Sequence, residues 1–182
     1  QSQGVEVLKR LLSPRARDGY EVTTLGHYLQ THPPETEIRV IENSAWSCNH
    51  RLGRWLTGCA CTPGCGHWKG ALRRALDNLS HEIDQVYSDI VSQQDVAPWR
   101  LRDDYIRVVM DQVSPDQFLA QHRLGHLTSY SQSQILSLLK AQYHRQRMFV
   151  SCGFFFDDLD RIEPRYVIAN AVQAMALIYY AT

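Results

Sequence analysis

The segment from Glu42 to Trp68, ENSAWSCNHRLGRWLTGCACTPGCGHW, concentrates the side chains of this chain that are best suited to chemistry. It holds four of the five cysteines, two of the eight histidines and three of the four tryptophans. The thiols and imidazoles follow the pattern Cys48-x-His50, Cys59-x-Cys61, Cys65-x-His67. Thiolate and imidazole are the ligands that Zn²⁺ prefers, four at a time in a closed structural site. A glycine-rich loop without a core of its own gains order from such an ion, because the free energy of metal binding becomes free energy of folding.

The spacing predicts a zinc site made by Cys48, His50, Cys59 and Cys61. Its substitute ligands would be Cys65, His67 or Cys152. Cys-x-Cys and Cys-x-His are less usual spacings than Cys-x-x-Cys, so the alternative is that several of these cysteines are small buried apolar groups. A thiol redox enzyme is disfavoured, because the Cys-x-Cys pair lacks a thioredoxin-like βαβ setting.

The three tryptophans of this segment, Trp46, Trp55 and Trp68, have two interpretations. They can pack the loop onto the rest of the protein, or they can offer flat indole faces on which a sugar ring stacks. A stacked sugar also needs polar partners for its hydroxyl groups. Such groups stand close by in the sequence at Asn43, Ser44, Ser47, Asn49 and Arg51.

A second unusual stretch is SCGFFFDDLD, from Ser151 to Asp160. Three consecutive phenylalanines cannot all face one core, and two adjacent carboxylates follow them. Asp157 or Asp158 can cap the next helix, as aspartate often does after a break. Alternatively, both carboxylates project into a cleft, where they bind hydroxyl groups or act as acid and base.

The composition is that of an ordinary globular protein, with 182 residues, 44% hydrophobic and 21% charged. A formal net charge of zero argues against a nucleic-acid partner, which calls for a basic face. The most apolar stretch, YVIANAVQAMALIYYAT, contains Asn170 and Gln173, so it indicates a buried helix and no membrane span. The clustered cysteines and the lack of a signal peptide indicate the cytoplasm. Because the chain starts at Gln1, we expect a piece of a longer polypeptide.

Apolar residues at steps of three and four predict helices through most of the chain. The expected helices begin near Val5, after Thr24, at Lys69, at Trp99, after Ser114, at Ser131 and at Glu163. The stretch ETEIRVIE, residues 35–42, alternates polar and apolar side chains and predicts a short extended segment. We therefore predict an all-α helical bundle over residues 69–182, with an irregular, Cys- and Trp-rich lead-in over residues 1–68, together forming one domain.

Several blocks resemble a bacterial domain of unknown function that occurs C-terminal to the catalytic domain of glycoside hydrolase family 57-like proteins. The similar blocks are HPPETEIRVIENSAWSCNHRLGRWLTGCAC, WKGALRRALDNL and SCGFFFDDLDRIE, and the likeness runs from about Tyr20 to the C-terminus. The chain departs from that family's usual pattern at three positions. Arg51 and Ala60 stand where the family usually has glycine, and Phe154 stands where it usually has tryptophan. Cys65 and His67 match no family position.

A more distant resemblance links PPETEIRVIENSAWS and SCGFFFDD to the C-terminal helical domain of family 57 branching enzymes and glucanotransferases. This resemblance implies a non-catalytic accessory domain that helps to form the rim of an α-glucan active site on an N-terminal catalytic domain of the same polypeptide. The implied substrate-binding residues are Trp46, Trp55, Phe154, Asp157 and Asp158. His50 and the two aspartates are the only catalytic candidates, and no activity is expected of this chain alone. The alternative is a metal-stabilised interaction module without a sugar role.

Overall fold

The structure is a computed structural model, and it describes residues 2–13, 21–61, 64 and 66–182. The described residues form helices and no strand, so the predicted all-α class is confirmed. The chain divides into two compact units, Gln1–Glu42 and Asn43–Thr182. The predicted lead-in, residues 1–68, is therefore split, and its last part belongs to the same unit as the long helices. None of the described helices combines the length and apolar content that crossing a bilayer requires.

The first unit contains α1 (Ser2–Leu12) and α2 (Leu25–Thr31). Thr24 caps α2 as predicted, because its hydroxyl oxygen accepts a hydrogen bond from the backbone N–H of His27 at 3.2 Å. Residues 38–42 belong to no regular element, and Ile38, Val40 and Ile41 are exposed.

The second unit holds the long helices. Its elements are α3 (Gly53–Leu56), α4 (Trp68–Val91), a 3₁₀ turn (Ser92–Gln94), α5 (Pro98–Asp104), α6 (Ile106–Val109), α7 (Pro115–Gln121), α8 (Ser129–Arg147), α9 (Cys152–Phe155) and α10 (Ile162–Ala181). Ser114 and Gln117 form a capping box at the start of α7, where the Ser-Pro pair predicted a helix start. The helix predicted from Trp99 is divided at Tyr105 into α5 and α6.

Helices α4, α8 and α10 pack on one another and enclose two apolar clusters. The first cluster joins the C-terminal half of α4 to α5, α7 and α8, with Tyr87, Phe118 and Leu138 fully buried. The second cluster contains Leu76, Met148, Phe154, Val167 and Ala171, and Trp55 and Trp68 pack against it. The second cluster is therefore where the cysteine-rich segment meets the bundle.

Candidate metal centre

Two turns bring the predicted ligands together on either side of α3. Arg51 follows His50 with φ at 57°, a left-handed conformation that turns the chain into α3. Gly58 ends α3 with φ at 94°, and its N–H donates to the Gly53 carbonyl at 2.9 Å. Because a side chain at Gly58 would be strained at this φ, glycine suits the turn that sends Cys59 back towards Cys48.

The four predicted ligands converge. One ligand atom from each of Cys48, His50, Cys59 and Cys61 lies within 4.8 Å of the others. The Sγ atom of Cys48 is 3.6 Å from that of Cys59 and 3.9 Å from that of Cys61. The Nδ1 atom of His50 lies 3.1 Å from Cys59 Sγ and 3.0 Å from Cys61 Sγ. All three cysteines are free thiols, and the two sulfur separations from Cys48 are far longer than a disulfide bond.

These distances fit a tetrahedral zinc ion. With a Zn–S bond of about 2.3 Å, tetrahedral geometry places two sulfurs roughly 3.8 Å apart, and a sulfur and a nitrogen roughly 3.5 Å apart. The two Cys48 separations bracket the first value, and the two His50 separations are a few tenths of an ångström shorter than the second. A Cys₃His set is also one of the usual donor sets of closed structural zinc sites.

Hydrogen bonding shifts the pKa values of Cys59 and Cys61 in opposite directions. The backbone N–H of Cys61 donates to Cys59 Sγ at 3.4 Å, and this is the main reason that the pKa of Cys59 is lowered. The hydrogen bond between the thiols of Cys61 and Cys59, with a smaller contribution from burial, raises the pKa of Cys61 to about 11. A bound cation would hold both groups as thiolates, because thiolate is the form that binds metal.

Lys69 lies in the first turn of α4, next to α3, and its side chain is fully buried. Its Nζ atom donates to the backbone carbonyl of Arg54 at 3.0 Å and to Asp157 Oδ1 at 3.1 Å. The indole N–H of Trp68 donates to the backbone carbonyl of Asp157 at 2.8 Å. These hydrogen bonds connect Asp157, at the end of the SCGFFFDD stretch, to the first turn of α4 and, through Lys69, to α3.

Gly64 shows how closely Asp157 approaches the cysteine-rich segment. A Cβ atom added at Gly64 would lie 2.6 Å from Asp157 Cβ, which is closer than two non-bonded carbon atoms can come. Above it, the guanidinium of Arg54 stacks 4.7 Å from the centre of the Phe155 ring. Trp55 contacts the same ring with a centroid separation of 5.9 Å. The two unusual stretches of the sequence therefore form one packed region.

The predicted substrate-binding aromatics occupy very different positions. Trp46 is 101% exposed, whereas Trp55 is partly buried against Phe155. Phe154 is only 1% exposed and packs in the second apolar cluster beside Trp68, so no face of its ring is open to a ligand. Of the three, Trp46 alone presents a fully accessible ring.

The two predicted carboxylates also differ. The side chain of Asp157 is 15% exposed and pairs with Lys69, which accounts for its place in the packed region. Asp158 is exposed, and its Oδ1 accepts the backbone N–H of Asp160 at 2.9 Å, an Asx turn ahead of α10. Neither aspartate caps α10, because the N-cap residue is Arg161 and no side chain makes a capping hydrogen bond there.

The sequence also offers Cys65, His67 and Cys152 as substitute metal ligands. Cys152 is exposed on α9 and His67 is exposed before α4, and neither belongs to the converging group. Cys65 lies outside the described residues. Sequence reasoning missed the buried Lys69 and Arg54. Their partners Asp157 and Phe155 lie far along the chain, so no local pattern marks them.

Comparison with known proteins assigns the chain to a family. A family model described as "Domain of unknown function (DUF3536)" matches residues 66–182, well over half of the chain. The chain therefore belongs to this family of domains of unknown function. The candidate metal centre of this chain lies ahead of the matched region. No curated protein and no solved structure matches it.

Proposed function

We propose that this chain is a non-catalytic helical accessory domain whose cysteine-rich loop is clamped by one zinc ion. The convergence of Cys48, His50, Cys59 and Cys61 carries the proposal. The loop between Asn43 and Cys61 has one short helix and few buried side chains, so it needs a cross-link to hold its shape. Zinc supplies no redox chemistry here, and four protein ligands leave no open position for a substrate.

Metal analysis of the purified chain tests the zinc clamp. We expect one zinc per chain in the wild type and loss of that zinc in Cys59→Ser. The matched control is Cys152→Ser, which removes an exposed thiol outside the group and should keep the metal. Equal zinc content in wild type and Cys59→Ser would contradict the clamp, and loss in both variants would move the site towards Cys152.

We further propose that the clamped loop presents Trp46 to an α-glucan chain at the active-site rim of a carbohydrate-active catalytic domain of the same polypeptide. Full exposure of a tryptophan two residues before a metal ligand supports this role, because an exposed indole offers a flat apolar face together with an N–H donor to a binding partner. Asn43 and Asn49 are exposed nearby in sequence and can serve hydroxyl groups. The metal clamp would keep the ring from collapsing onto the bundle.

Sugar binding is tested by adding a maltooligosaccharide to the zinc-loaded chain and following indole N–H resonances by NMR. We expect a saturable shift of the Trp46 signal, lost in Trp46→Ala and kept in Tyr130→Ala, which removes a comparably exposed aromatic ring. No turnover of the sugar is expected. Zinc binding without any Trp46 shift would favour the alternative, a metal-stabilised interaction module, whereas hydrolysis by this chain would contradict a non-catalytic role.

A further inference from the structure

A separate cavity of about 490 Å³ lies between α5, α6 and the end of α7, away from the metal ligands in sequence. Its charged lining consists of Arg100, Arg107, Arg123 and Asp104, with the His122 ring among them. Three guanidinium groups against one carboxylate leave an excess of two positive charges. The whole chain is neutral, so this concentration of positive charge is local.

The helical spacing explains why these groups share one face. Tyr105, between α5 and α6, keeps right-handed helical backbone angles, so the two short helices follow nearly one axis. Arg100, Asp104 and Arg107 are separated by four and three residues, the spacing that places side chains above one another on a helix. The segment after α7 then supplies His122 and Arg123 from the opposite side.

Contacts with buried and neighbouring side chains fix the positions of the residues that line the cavity. Leu101, which is 1% exposed, forms apolar lining of the cavity, and the His122 ring lies 4.6 Å from that of buried Phe118. Arg107 donates from Nη1 to Gln121 Oε1 at 3.0 Å, which fixes its guanidinium beside the end of α7. His122 Nε2 is 3.5 Å from Asp104 Oδ2, so the one carboxylate is already engaged with the histidine.

The three arginines lack carboxylate partners within the described residues. Arg123 also adopts a left-handed backbone conformation, with φ at 60°, at a turn where glycine would be less strained. Unpaired guanidinium groups around a concave surface focus a positive potential, and their planar N–H donors match the oxygens of phosphate.

We propose that this cavity is a binding site for a small phosphate-bearing ligand, with Arg100, Arg107 and Arg123 holding the phosphate. Val96 and Ala97, which are more accessible than Leu101, would face the apolar part of that ligand. The volume lies within the usual range of small-molecule sites, about 300–1,000 Å³. A nucleic acid is a poorer fit, because it calls for an extended basic face and this chain has no net positive charge.

The His122 ring gives a direct reporter of this site, and His50 at the metal centre gives an internal control. Inorganic phosphate is titrated into the zinc-loaded full chain while the ring signals of both histidines are followed by NMR, with His122→Gln used to assign its signal. Sodium chloride at matched ionic strength is titrated in parallel. We expect a saturable shift of the His122 signal with phosphate only, and no shift of the His50 signal.

The variants separate binding from folding. Arg100→Gln and Arg123→Gly should each weaken phosphate binding at least about fivefold, because each removes one charged donor. Arg123→Gly also relieves the left-handed backbone, so its thermal midpoint should not fall. Arg165→Gln, which removes an exposed arginine on α10, should leave binding unchanged. An equal response to chloride, no saturation below roughly 10 mM phosphate, or unchanged binding in both cavity variants would overturn the proposal.

Discussion

Lys69 and Asp157, which are 88 residues apart in the sequence, form an ion pair with 3.1 Å between Lys69 Nζ and Asp157 Oδ1. The lysine is completely buried and also donates to the Arg54 carbonyl. One ammonium group therefore joins α3, α4 and the segment after α9. Its three donors face two oxygen acceptors in a site closed to water, where an unpaired charge would be very costly.

Replacing Asp157 with alanine should destabilise the protein strongly. The change leaves the Lys69 ammonium buried without its counter-charge, which typically costs about 3–5 kcal/mol. Urea unfolding of the zinc-loaded chain measures the loss. The neighbouring change Asp158→Ala removes an exposed carboxylate that accepts one backbone N–H, so it should cost about 1 kcal/mol or less. An equal decrease in the free energy of unfolding in the two variants would contradict a stabilising role of the ion pair.

Gly153 leaves no space for a methyl group. A Cβ atom at this position would lie 2.1 Å from Cγ2 of Val167 on α10. Gly153→Ala should therefore cost about 2–3 kcal/mol, the usual size of an overpacked core. Val167→Ala removes the clashing atom, so the double variant should be more stable than the sum of the two single changes predicts, by at least about 1 kcal/mol. Strict additivity would contradict this contact.

Arg51 holds a strained backbone conformation next to the ligand His50. With φ at 57°, a residue that carries a Cβ atom costs roughly 1–2 kcal/mol more than glycine. Arg51→Gly should stabilise the zinc-loaded chain by about 0.5–1 kcal/mol, part of the gain being offset by the greater freedom of glycine when unfolded. Arg51→Ala is the control, because it removes the charge and keeps the strain. A gain of the same size in both variants would assign the effect to charge.

His122 makes stability depend on pH. Burial lowers its pKa, Asp104 opposes that effect, and Arg100 and Arg107 add to it; Arg123 lines the same cavity. As the pH falls, His122 of the unfolded chain therefore takes up its proton first. The stability that is present above about pH 6.5 is lost as the pH drops through the lower pKa of the folded state.

An NMR titration of the His122 ring checks this direction. Arg100→Gln should move the pKa upwards, and Asp104→Asn should move it downwards, because the two side chains act on the imidazole with opposite sign. His122→Gln should flatten the fall of stability on the acid side of about pH 6.5. A His122 pKa above the ordinary value in wild type would contradict the described environment.

The sequence predicted the helices and the metal quartet well, because both leave local signals. Apolar spacing marked α4, α8 and α10 to within about two residues at their starts, and the Ser114-Pro115 pair marked α7. Cys48, His50, Cys59 and Cys61 are explicit ligand types in one short segment, so their convergence required only that the loop fold back. The preference over His67 rested on the family resemblance, and the geometry agrees with it.

Lys69 and Phe154 show where sequence reasoning ends. A lysine in the first turn of an amphipathic helix looks like any exposed lysine until its partner is known, and that partner lies 88 residues away. The sequence allows Asp157 to be a helix cap or a cleft residue, and the ion pair with Lys69 is a third role that no local pattern indicates. Phe154 is buried while Phe155 and Phe156 are partly exposed, a division that depends on how α9 meets α10. The sugar-binding role of Trp46 stays a prediction.

The metal ligands are close together in the sequence, and this has a consequence for the order of folding. All four lie between Cys48 and Cys61, so closing that loop costs little chain entropy and requires no other part of the protein. If the proposed zinc ion binds, the loop can close during synthesis as soon as Cys61 has left the ribosome. The Lys69–Asp157 pair must wait for almost a hundred more residues. With the proposed zinc bound, the loop would therefore close before the helical bundle packs against it.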